Sequence, residues 1–61
     1  MKIKHLGVTQ LMNRVQIDLT CDDDEQADRL FAWLENNLRA GKVVRLRPAD
    51  PGNAPSVETV Q

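Results

Sequence analysis

The chain has 61 residues and a formal net charge of −1, and 41% of its residues are hydrophobic and 28% charged. These values indicate one globular domain near the lower size limit for unaided folding, and they exclude a disordered chain. A core this small rarely contributes more than about 3–5 kcal/mol, so small domains add a disulfide, a metal or a partner subunit. Cys21 is the single cysteine, which excludes an intrachain disulfide and a zinc site of paired cysteines. We therefore predict a homodimer.

Two strands are predicted before the helix, and their patterns differ in strength. Residues 2–8 alternate only weakly, and residues 9–13 fit either a hairpin connection or a single helical turn. Residues 14–21 carry the clearest alternation of apolar and polar side chains in the chain. Their inward-facing members are Val15, Ile17, Leu19 and Cys21. This segment is predicted to be a half-buried strand.

An acidic run at residues 22–25 marks the beginning of a helix. Carboxylates at this position satisfy free backbone amides and complement the positive end of the helix dipole. The helix is predicted over residues 23–40, and Gly41 suits its end because glycine adopts the left-handed cap conformation without penalty. Five apolar residues share an arc of about 100°, the usual width of a core-facing stripe. They are Ala27, Leu30, Phe31, Leu34 and Leu38.

A last strand is predicted over residues 43–47, and the succession strand, helix, strand predicts a βαβ unit with parallel strands. The predicted fold class is α+β: a two-layer ββαβ domain over residues 1–47, with one amphipathic helix packed on one face of a three-stranded sheet. Residues 48–61 hold all three prolines and are predicted to be an extended or disordered tail. Within that tail, Val57 and Val60 could add a short strand or contact a neighbouring subunit.

The acidic run does not match a calcium-binding loop. Such a loop needs glycine at its sixth position, and counting from Asp22 or from Asp24 places Ala27 or Arg29 there. Helix capping is the preferred interpretation of these carboxylates, and an acidic docking surface is the alternative. We predict no metal site.

Side chains suited to catalysis are scarce. His5 is the only histidine, Ser56 is the only serine, and there is no glycine-rich phosphate loop. General acid–base or nucleophilic catalysis requires a base that is oriented beside a reacting group, and this set offers no such combination. The prediction is a protein that is not an enzyme and holds no cofactor.

Trp33 is the most suggestive single residue. It falls roughly 115° from the centre of the apolar stripe, so it should flank the core, partly exposed, near Arg29. One interpretation is that Trp33 covers the rim of a small core, and the other is that it anchors an interface, because tryptophan and arginine are frequent in binding hot spots. Together with two arginines on the outer face of the last strand, the predicted partner-binding residues are Trp33, Arg29, Arg45 and Arg47.

The basic residues form a second candidate site. A sheet face that bears arginines can follow phosphates electrostatically, but single-strand binders usually add stacking aromatics, and both aromatic residues here lie on the helix. A solvated charged face and a protein-docking face are the other interpretations. The alternative nucleic-acid-binding residues are Arg14, Arg39, Lys42, Arg45 and Arg47.

The preferred function is a non-catalytic protein-binding module that acts by surface docking, as a homodimer that binds a protein partner. Small phage and mobile-element inhibitors or adaptors share this size and lack of chemistry, although no motif carries that analogy. The alternative is a small nucleic-acid-binding regulator with a basic sheet face, and an enzyme or cofactor carrier is disfavoured. A cytoplasmic location without membrane contact is expected, because a secretory signal and a membrane-span-length apolar segment are both missing.

Overall fold

The computed structural model describes residues 1–60, in which four strands and one helix form. The elements are β1 (His5–Leu11), β2 (Arg14–Thr20), α1 (Asp24–Arg39), β3 (Val43–Arg47) and β4 (Ser56–Val60). They form two antiparallel sheets of two strands each, one from β1 and β2 and the other from β3 and β4. The fold is a small α+β domain, but the prediction of a single three-stranded ββαβ sheet is wrong.

β1 and β2 form a hairpin that is closed by Met12 and Asn13. The backbone of Met12 has a φ of 56°, in the left-handed region that residues other than glycine rarely adopt. The strand predicted over residues 14–21 is confirmed as β2. The first strand lies three residues later than the predicted range 2–8, because the ambiguous residues 9–13 divide between the end of β1 and the turn.

The beginning and the end of α1 follow from its capping residues. The Asp23 carboxylate accepts a hydrogen bond of 2.8 Å from the backbone N–H of Gln26, which makes Asp23 the N-cap. At the other end, Gly41 has a φ of 74° and its N–H donates to the carbonyl oxygen of Leu38 at 3.1 Å. The helix prediction over residues 23–40 is therefore confirmed to within one residue at each end.

β3 pairs with β4 and not with β2. The chain turns back between them at Asp50 and Asn53, whose backbones exchange hydrogen bonds of 3.2 and 3.0 Å. The predicted parallel βαβ unit is wrong, because each strand finds an antiparallel partner close to it in sequence. β4 lies inside the predicted tail, residues 48–61, and Gln61 of that segment lies outside the described residues.

Residues 1–3 connect the two sheets. The N–H of Ile3 donates to the carbonyl oxygen of Pro55 at 2.9 Å, just before β4. The N–H of the next residue, Lys4, donates instead to the carbonyl oxygen of Thr20 at 2.8 Å, at the end of β2. The chain therefore passes from one sheet to the other at Lys4, and Ile3 is buried at this junction.

The core is small and lies between α1, the β3–β4 sheet and the N-terminal segment. Among the described residues, the buried hydrophobic core consists of Ile3, Leu30 and Val57, with Val57 fully enclosed, and Pro55 is buried beside β4. Half-buried residues pack around them: Leu6, Leu19, Cys21, Trp33, Leu34, Val44 and Leu46. Residues 1–60 include no helix with the length and apolar character that a membrane crossing requires.

Candidate functional site

α1 buries only part of its apolar stripe. Leu30 is 3% exposed, and Trp33 and Leu34 pack against the core on the side of the helix that contacts β3. Phe31 and Leu38 belong to the stripe predicted to face the core, yet they are 67% and 61% exposed. The helix is thus rotated towards Trp33, and one side of its apolar stripe is left open.

The β1–β2 hairpin also has an apolar face that is only partly covered. Residues directly opposite each other in an antiparallel pair share a face, so Val8 lies beside Ile17, and Leu6 beside Leu19. Leu6 and Leu19 pack against the core, whereas Ile17 is 50% exposed and Val8 more so. The apolar face of the hairpin therefore extends from the core into solvent.

These two faces border one apolar channel, which we call the hairpin–helix groove. It consists of two open depressions of about 220 and 320 Å³ between β2 and α1, and both are bordered by Ile17, Leu19 and Leu34. Phe31 lies at the first depression and Leu38 at the second. The remaining lining residues are Ala27, Leu30, Val44 and Leu46. All the residues that line the groove are apolar.

The structure places Trp33 at the rim of the core. Its side chain is half-buried against the core residues, and its backbone carbonyl oxygen accepts a hydrogen bond of 2.6 Å from Asn37 Nδ2. Arg29 is exposed, and its guanidinium pairs with Glu25 one turn earlier at 2.7 Å. This environment agrees with the interpretation of Trp33 as cover for a small core, and its role in binding stays a prediction.

Arg45 and Arg47 share one carboxylate. Arg45 lies opposite Glu58 across the β3–β4 ladder, and the Glu58 Oε1 atom is 3.4 Å from Arg45 and 2.8 Å from Arg47. Because side chains alternate along a strand, these arginines point away from Val44 and Leu46, which pack towards the core. The predicted set Trp33, Arg29, Arg45 and Arg47 is therefore not brought together on one surface.

The alternative nucleic-acid set is also spread over the molecule. Arg39 pairs with Glu35 at 2.9 Å on the exposed side of α1, and Lys42 follows the end of the helix. Arg14 begins β2 at the tip of the other hairpin, in a different sheet from Arg45 and Arg47. Three of the five basic residues thus already have a carboxylate partner.

The acidic run has the structural role that its sequence indicates. Asp23 caps the helix, and Asp24 and Glu25 lie in its first turn. Within residues 1–60, histidine, cysteine and acidic side chains do not gather in a group of three that could hold a metal ion. The hairpin–helix groove differs in its apolar lining from the larger depression of about 470 Å³ on the β1–β2 hairpin, which polar residues such as Arg14 and Gln16 border.

The sequence-based interpretation identified the groove residues as core and so missed them as a site. A signal was present in the excess of apolar positions: one face of β2 and an arc of about 100° on the helix together require more cover than a chain of this size provides. Comparison of the chain with protein-family models, with curated proteins and with solved structures finds no match.

Proposed function

We propose that this protein is a non-catalytic protein-binding module that docks through its hairpin–helix groove. The observation that supports this proposal is the exposure of Ile17, Phe31 and Leu38 around one continuous apolar channel. Scattered apolar residues are ordinary on a protein surface, but a contiguous apolar patch marks an interaction site. The proposal moves the binding surface from the predicted Trp33 and Arg29 to the opposite side of the helix stripe.

The groove is suited to apolar side chains presented by another protein. An enclosed cavity of about 150 Å³ lined by Leu, Ile and Phe side chains can hold benzene, and the open depression of about 320 Å³ is large enough to receive one large apolar side chain. Burying such a side chain contributes about 1.5–3 kcal/mol. The reverse face of the hairpin is mainly polar, with Thr9 opposite Gln16 and Asp18 opposite Gly7, and its large apolar residue, Leu11, lies at the tip. Docking is therefore directed to one face.

The ion pairs described above weaken the support for nucleic-acid binding. Phosphate recognition depends on basic side chains that release counterions when they bind, and an arginine held by a neighbouring carboxylate contributes less. Arg45 and Arg47 share Glu58, so this part of the outer sheet face carries one net positive charge instead of two. Protein docking through the groove is the better supported function.

The proposal is tested by affinity capture from nuclease-treated lysate of the source cells, with tagged wild-type chain as bait. Ile17→Asp places a carboxylate in the groove, and Thr9→Asp places one on the reverse face of the same hairpin as a matched control. We expect wild type and Thr9→Asp to retain the same protein, either a foreign one or an untagged copy of the chain, and Ile17→Asp to lose it. Equal capture by all three baits would overturn the proposal.

A further inference from the structure

We infer that the protein which fills the hairpin–helix groove is a second copy of this chain, bound across a twofold axis so that the hairpin of each copy covers the open helix stripe of the other. The inference rests on the proposed function, because it names the occupant of the same groove. It is carried by the surface area of the single chain, by the complementary nature of the two walls and by the size of the core.

The single chain exposes more surface than a folded monomer of its mass. A 6.9 kDa monomer is expected to expose about 4,000 Å², whereas this chain exposes 5133 Å². The excess of roughly 1,100 Å² exceeds the ~800 Å² that each partner buries in a standard interface. The radius of gyration, 12.2 Å, likewise exceeds the value of about 10.5 Å expected for a compact domain of this length.

One wall of the groove is an apolar sheet face and the other is an apolar helix stripe, and each can cover the other. The apolar face of a sheet is stable when a helix covers it, and an apolar helix stripe is stable against a sheet. Each copy has an open sheet face at Val8 and Ile17 and an open helix stripe at Phe31 and Leu38. A twofold rotation brings each open face onto its complement in the other copy, and both contacts are then identical.

The size of the core explains why this arrangement would form. The buried hydrophobic core of the described residues consists of only Ile3, Leu30 and Val57, and neither a disulfide nor a metal cluster is formed by residues 1–60. Domains of this length often add such a supplement or a partner, because their own core contributes little. The alternation of Val15, Ile17 and Leu19 predicts that a helix covers the apolar face of β2. In the dimer, the helix of the second chain provides this cover.

The first experiment measures mass against concentration by sedimentation equilibrium, from low micromolar to near-millimolar protein. We expect wild type and the reverse-face control Thr9→Asp to reach twice 6.9 kDa. We expect Ile17→Asp and Phe31→Lys to raise the dissociation constant at least about 100-fold, because a charge would be buried at both symmetric contacts. Ala32→Lys, on the exposed side of α1, is the control for Phe31→Lys. Circular dichroism verifies that each variant is folded.

Mixing the two impaired variants tests the arrangement itself. In a dimer of one Ile17→Asp chain and one Phe31→Lys chain, one contact is unaltered and the other places the aspartate opposite the lysine. We expect the equimolar mixture to dimerise at least about tenfold more tightly than either variant alone. A mixture that associates no better than its components would overturn the hairpin-on-helix arrangement.

The outcomes separate this inference from the proposed function. A wild-type chain that stays at 6.9 kDa throughout, while its groove captures a foreign protein from lysate, overturns the dimer and leaves the binding function intact. A monomer whose capture is unaffected by Ile17→Asp overturns both. If the wild-type chain dimerises but Ile17→Asp and Thr9→Asp weaken the dimer equally, the groove is not the dimer contact.

Discussion

The two hairpins of this protein have similar sequence patterns and different surroundings. In the β3–β4 hairpin, Val57 is fully enclosed, and Val44 and Leu46 pack beneath α1. In the β1–β2 hairpin, the equivalent apolar face is covered only near Leu19, and Ile17 is half exposed. Alternation along a strand thus identifies which face is apolar, but it does not determine what covers that face or whether the same chain provides the cover.

The largest expected effect on the free energy of unfolding distinguishes two adjacent helix residues, of which Leu30 lies in the core and Phe31 at the open groove. Leu30→Ala should lower the free energy of unfolding by about 2–5 kcal/mol, because Leu30 is almost completely buried. Phe31→Ala should cost less than about 0.5 kcal/mol in protein diluted below the dissociation constant of the dimer, because its ring is then mainly in solvent. Urea unfolding monitored by circular dichroism measures both, and equal losses in dilute protein would contradict the comparison.

The next effect concerns the start of α1, the helix that borders both the core and the groove. Asp23→Ala removes the carboxylate that accepts the N–H of Gln26, so we expect a loss of about 0.5–2 kcal/mol in the free energy of unfolding. Asp22→Ala is the matched control, since it removes the same charge one residue earlier and leaves the capping bond in place. Thermal unfolding compares the two variants, and equal losses would show that charge matters here and the cap does not.

A substitution in the turn of the β1–β2 hairpin is expected to raise the free energy of unfolding. Met12 adopts a left-handed backbone that costs a side-chain-bearing residue about 1–2 kcal/mol, and glycine avoids most of this cost but loses about 0.5–1 kcal/mol through its more flexible unfolded state. Met12→Gly should therefore raise the free energy of unfolding by up to about 1 kcal/mol. Asn13→Gly, in the same turn but without a positive φ, should instead be neutral or slightly destabilising. Urea unfolding that ranks Asn13→Gly above Met12→Gly would contradict this account.

The smallest effect on the free energy of unfolding is expected from the ion pairs of the β3–β4 hairpin. Glu58→Gln removes the carboxylate shared by Arg45 and Arg47, and exposed pairs of this kind contribute no more than about 1 kcal/mol. The loss should shrink in high salt, because salt screens exposed charges. Unfolding of Glu58→Gln in low and high salt measures this, with Glu35→Gln as the comparison for the Arg39 pair on the helix. A larger, salt-independent loss would mean that Glu58 supports the sheet in another way.

The parts of the fold that could be predicted are those with strong local signals. β2 follows from its alternation, and α1 follows from the Asp23 cap, the acidic first turn and Gly41 after its end. β4 was harder to predict, because a segment rich in proline and glycine precedes it and only its pairing with β3 makes it a strand. The order of the strands could not be predicted, since it depends on which neighbours pair.

The candidate site was missed for a related reason. The helix stripe indicates that Phe31 and Leu38 need cover, and the pattern alone predicts that the core of the same chain provides it. The rotation of α1 towards Trp33 is set by tertiary packing, in which Trp33 and Leu34 pack against the buried core around Leu30. Hydrophobic periodicity describes one helix or strand at a time. It does not show that the apolar face of the hairpin and the helix stripe together are too large to be buried within one chain.

The most direct test of this account is nuclear magnetic resonance on a mixture of isotope-labelled and unlabelled chains, filtered so that only contacts between chains are observed. The account predicts cross-peaks between the ring of Phe31 in one chain and the methyl groups of Val8 or Ile17 in the other. They should disappear in the Ile17→Asp variant and persist in Thr9→Asp. Contacts between these residues that arise only within a single chain would contradict it, because the hairpin would then close over its own helix.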